Sequence, residues 1–85
     1  MPYIEQKDRD DIDPIIEPIL NTSLSSGELN YVITRLCQQY LANHKPNYST
    51  MNNIVGILEC AKQEFYRRIA APYEDLKITI NGDVK

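Results

Sequence analysis

The stretch EFYRRIAAPYED, residues 64–75, sets two arginines and two tyrosines around a proline in a chain that is acidic overall. Guanidinium groups recognise planar anions through paired N–H bonds, and tyrosine rings offer a flat face with a polar tip. With Lys62 one turn earlier and Lys77 beyond the proline, the four cations Lys62, Arg67, Arg68 and Lys77 stand near Tyr66 and Tyr73. Those six residues are the candidate ligand site, the cations for phosphate and the rings for a stacked base. An ordinary explanation competes at each position. Lys62 follows Glu59 by three residues, Arg68 follows Glu64 by four and Arg67 follows Gln63 by four, spacings at which helical neighbours pair. Cations in a last helical turn also complement the dipole. Arg67 and Arg68 are adjacent, so on one helix they point about 100° apart and cannot serve one partner together.

Other chemistry is thin. Twelve acidic against nine basic residues give a net charge of -3, which argues against general DNA or RNA binding, because that mode needs a basic stripe to displace counterions. The two cysteines, Cys37 and Cys60, and the single histidine, His44, form no CxxC or HxxxH spacing. No structural metal site is expected from them. The cysteines read as small buried apolar groups, and His44 as a helix-end residue. Asp10-Asp11 and Glu74-Asp75 are adjacent carboxylates with no convergent partner, and no nucleophile–base pair or glycine-rich loop exists. The expectation is a protein that is not an enzyme and needs no cofactor. The polar start MPYIEQKDRDD is unlike a signal peptide, and no apolar run nears the length of a membrane span, so a cytoplasmic location is expected.

The elements that must position these residues follow from periodicity. Residues 1–12 read as a charged N-terminal arm, and Asp13-Pro14 as an N-cap with proline at the first helical position. A short or kinked first helix follows, with Ile15, Ile16, Ile19 and Leu20 on one face and Pro18 interrupting its bonds. Ser25 and Glu28 match a capping box opening a second helix. There Leu29, Val32, Ile33, Leu36 and Tyr40 define one apolar face. Lys45-Pro46-Asn47 ends it. Ser49 is expected to cap a third, longer helix from about residue 50 to 71, with Met51, Ile54, Leu58, Ala61, Phe65 and Ile69 as its stripe. Beyond Pro72 the alternation of Leu76, Ile78 and Ile80 predicts a half-buried strand, and Asn81-Gly82 a hairpin turn. So residues 72–85 read as an extended tail, pairing preferentially in trans.

The stretches GELNYVITRL (27–36), ILECAKQEFYRRIAAPYED (57–75) and NGDVK (81–85) resemble a widespread family of small uncharacterised proteins of tailed phages, prophages and related bacterial genomes. The resemblance extends to the MPYI start and Asp13-Pro14. It implies no activity, only a context whose small oligomeric proteins sequester a host immune signalling nucleotide, blunt a host protein, or serve in virion assembly or replication. Relatives of this kind often end in an aromatic residue, where this chain has Lys85.

The combined expectation is one small all-α domain over residues 1–85. It has a short first helix, an antiparallel pair of longer helices and an extended tail. A domain this small has a marginal core of its own, and the third helix carries more apolar surface than two short partners cover, so a homo-oligomer is expected. Two functions follow: capture of a small anionic ligand such as a cyclic nucleotide at a subunit interface, or binding of a host or phage protein with no small ligand.

Overall fold

The structure, a computed structural model, describes Met1–Lys85. Every regular element is helical: α1 spans Gln6–Leu20, α2 Ser26–Asn43, α3 Tyr48–Phe65, and α4 Ala71–Asn81, with a five-residue π turn, Tyr66–Ala70, joining α3 to α4. Residues 2–54 form one compact unit and residues 55–85, with Met1, another.

In the first unit, α1 begins well before Asp13-Pro14 and carries both Pro14 and Pro18 inside it. The charged arm is therefore helical from Gln6. Its first turns hold together locally, Gln6 Nε2 donating to Asp10 Oδ1 at 2.8 Å, while each proline leaves one carbonyl four residues back without its helical donor. α2 opens on the expected capping box: Glu28 N–H donates to Ser25 Oγ at 3.2 Å, and Ser25 N–H donates to Glu28 Oε1 at 2.8 Å. The bond from the Ser25 amide, and then that from its hydroxyl, hold the Glu28 carboxyl below its usual pKa. The contribution of Glu28 is therefore complete above the ordinary glutamate range and fades as pH falls through the lowered value. Ser25→Ala is expected to cost about 1 kcal/mol, and Glu28→Gln to flatten that acid dependence, as read by denaturant unfolding at several pH values. An unchanged acid limb would contradict the reciprocal cap.

At the other end of α2, His44 is the C-cap, its ring stacked on Tyr40 at 4.0 Å between centroids and its Nδ1 2.8 Å from the Tyr40 carbonyl oxygen. The cap of α3 is Asn47, not Ser49: Asn47 Oδ1 accepts from Thr50 N–H at 3.0 Å, and the helix starts at Tyr48. Asn53 Nδ2 donates to the Tyr40 hydroxyl at 3.1 Å, linking α2 to the start of α3.

In the second unit the expectation of an extended tail is overturned. Residues after Pro72 continue the helix to Asn81, so α3, the π turn and α4 form one helix from Tyr48. This replaces the antiparallel pair with a β tail. The physical reason lies just before the proline. A proline ring in a regular α-helix clashes with the carbonyl four residues back, here that of Arg68. The π turn ends two residues before Pro72, and Ala71 N–H donates five residues back to Tyr66 O, a wider geometry that makes room. At the far end Asn81-Gly82 is a helix stop rather than a hairpin. Gly82 has φ 85° and ψ 155° and its N–H donates to Ile78 O at 2.8 Å, a backbone region essentially reserved for glycine.

The π turn also keeps the apolar stripe straight. Ala61, Phe65, Ile69 and Tyr73 are three successive four-residue steps, each of which advances a stripe by about 40° on a regular α-helix. A five-residue turn rotates less per residue and absorbs that drift. Leu58, Phe65, Ile69, Tyr73, Leu76 and Ile80 thus share one face of the unit. All of them are exposed, Phe65 at 60% and Ile80 at 63%. No side chain of the protein is buried.

Candidate functional site

All six residues of the sequence-derived site lie on the long helix: Lys62 in α3, Tyr66, Arg67 and Arg68 in the π turn, Tyr73 and Lys77 in α4. The helix fixes what each can meet. Lys62 pairs with Glu59 at 3.4 Å, and Arg67 with Glu64 at 3.1 Å. Gln63 and Lys62 both donate to Glu59 and, in that order, hold its carboxyl below the usual range. Arg68 is also engaged rather than free. Lys77 sits over the Tyr73 ring, 5.6 Å from its centroid, and its exposed setting makes this a modest contact.

Glu74, read from sequence as an adjacent carboxylate with no convergent partner, meets Tyr66. Its negative charge, and then the hydrogen bond it accepts from the Tyr66 hydroxyl, push the Tyr66 pKa up. That contact is present below the ordinary tyrosine range and is lost as pH rises through the raised value. The pair is eight residues apart and shares a face only if the helix runs on past Pro72, so no local spacing signal announces it. A second tyrosine–cation contact, missed on α2, had such a signal: Arg35 Nη1 donates to Tyr31 Oη at 2.9 Å, and the guanidinium lies 5.7 Å from the ring centroid, an i, i+4 pair.

Two arrangements emerge. Glu59, Lys62, Tyr66 and Glu74, followed by Lys77, form one edge of the apolar stripe, with acid and base alternating. Arg67 and Arg68 diverge from that edge around the π turn. The four cations therefore do not converge on one point, and three carboxylates, Glu59, Glu64 and Glu74, are interleaved among them. Both cysteines are free, and no three His, Cys, Asp or Glu side chains gather as a metal site would require. No helix is long and apolar enough to cross a membrane.

Fold and surface together define a small all-helical protein whose most conspicuous feature is an uncovered apolar stripe edged by alternating charges. Residues 1–84 match the profile of a domain of unknown function, DUF6899, and the chain belongs to that family. No curated protein and no solved structure matches it.

Proposed function

We propose that this chain is a non-enzymatic protein-binding module, acting through the apolar face of its long helix. The observation that carries the reading is the stripe from Leu58 to Ile80, exposed along its whole length in a protein with no buried side chain. Contiguous apolar surface beyond a few hundred Å² on a soluble chain marks an interaction site. Helical apolar faces with anchors at three- and four-residue steps are a standard mode of protein recognition. Within the phage or prophage setting that the GELNYVITRL and ILECAKQEFYRRIAAPYED resemblance implies, the role is an adaptor or inhibitor working in the host cytosol.

The test is photocross-linking in cells expressing the full chain, with a photoreactive residue at Leu76 on the stripe or at Gln63 on the opposite face. A discrete protein adduct from position 76, absent from position 63, is expected. Adducts of equal yield from both positions, or none from 76, would overturn the reading.

Capture of a small anion is the second reading, favoured by one observation: Lys62, Tyr66, Tyr73 and Lys77 lie along the stripe with exposed rings and ammonium groups. The interleaved Glu59 and Glu74 weigh against it in a single chain, since a carboxylate beside each cation repels a phosphate. Native mass spectrometry with a panel of cyclic and linear nucleotides separates the two. No integral nucleotide mass is expected to be retained. Retention that disappears in Lys62→Ala and Lys77→Ala would instead establish the anion site.

A further inference from the structure

Resting on the protein-binding reading, we infer that the partner on this stripe is a second copy of the same chain, laid antiparallel across a twofold axis near Arg68. The first argument is apolar surface. Leu58, Phe65, Ile69, Tyr73, Leu76 and Ile80 are all exposed, from 41% at Leu58 to 63% at Ile80, along one face of residues 55–85, and a twofold pairing covers that same face on both copies at once.

The second argument is charge. A twofold axis perpendicular to two antiparallel helices sets each edge of the stripe against the same edge of the other copy, so that if one residue contacts another the reverse contact is also made. On the edge described above, Lys62 and Glu74 each stand six residues from Arg68, and Glu59 and Lys77 each stand nine. Pairing about Arg68 therefore places Lys62 opposite the partner's Glu74 and Glu59 opposite the partner's Lys77, and the reverse, with no like charges opposed on that edge; Arg68 itself falls level with its own copy at the axis, off that edge. The same centre interleaves the apolar side chains. The partner's Phe65 falls level with Ala71, between Ile69 and Tyr73, and the partner's Leu58 falls level with Ile78, between Leu76 and Ile80. That is knob-into-hole spacing. One axis pairs the charges of that edge and interleaves the apolar side chains together.

Charge reversal on the full chain tests the pairing, because Lys62 and Glu74 are twelve residues apart on one helix, about 18 Å of rise, and cannot meet within a chain. Lys62→Glu and Glu74→Lys are each expected to weaken dimerisation about tenfold, measured by native mass spectrometry over a dilution series. The double variant K62E/E74K is expected to return to within about threefold of the starting protein. Far-ultraviolet circular dichroism at high concentration shows whether each variant remains helical. A dimer in which the double variant is no tighter than the singles would overturn the antiparallel pairing. A monomeric chain that still cross-links through position 76 to a different protein would overturn self-pairing and leave the protein-binding reading intact. A monomer with no such adduct would overturn both.

Discussion

Phe65→Asp should weaken self-association by at least about 100-fold, a loss of about 2.8 kcal/mol. Two costs combine at this position. Fully covering a phenylalanine side chain contributes about 1.5–3 kcal/mol, and a carboxylate placed on the same spot resists desolvation. Twofold symmetry applies both costs twice per dimer. Phe65 is exposed in the single chain, so the substitution breaks no contact there that would explain such a loss. Gln63→Asp, two residues away on the opposite face, adds the same charge and is expected to change affinity by less than about twofold. Sedimentation velocity on the two variants reads the difference. Equal effects at 63 and 65 would mean that net charge, not the stripe, governs association.

Ile78→Pro carries the second large effect, because it distinguishes a helical C-terminus from an extended one. In α4, residue 78 lies well inside the helix, and its own carbonyl accepts the Gly82 N–H at 2.8 Å. A proline there removes one backbone donor and drives its ring toward the Glu74 carbonyl, a cost of about 3 kcal/mol. In an extended edge segment the same change is nearly neutral. The expected result is loss of hydrogen-exchange protection across residues 74–82 and weaker association, since Leu76 and Ile80 lose their common face. Protection that survives the proline would return the tail to an extended form.

How far the sequence revealed this protein differs from segment to segment. Ser25-Ser26-Gly27-Glu28 announced its capping box correctly because the motif is local and both partners lie within four residues. The stripe from Met51 to Ile69 was equally plain, since its three- and four-residue steps belong to no other element. The end of the chain misled for a physical reason. Leu76 and Ile80 fit both a two-residue and a four-residue period, and Ile78 and Thr79 add the β-branched character of a strand. Pro72 then looked like a terminus, because the π turn that accommodates it has no recognised sequence signal. At the start, Asp13-Pro14 made a convincing N-cap, yet the helix already runs from Gln6 through both prolines.

The candidate site was legible in part. The ordinary partner of Lys62 could be read from spacing, whereas Arg67, which spacing assigned to Gln63, also pairs with Glu64. The Tyr66–Glu74 contact required knowing that the helix continues. A pocket made of four cations was the reading most dependent on three-dimensional convergence, and helical geometry distributes those cations around and along the helix instead.

Sedimentation equilibrium of the full chain from about 1 to 200 µM, with helicity followed by circular dichroism on the same samples, tests the uncovered stripe most directly. The predicted result is a species of twice the chain mass at high concentration, whose dissociation on dilution is accompanied by loss of helix. A monomer at every concentration, with undiminished helicity, would contradict it, because it would show that the long helix stands without a second copy on its apolar face.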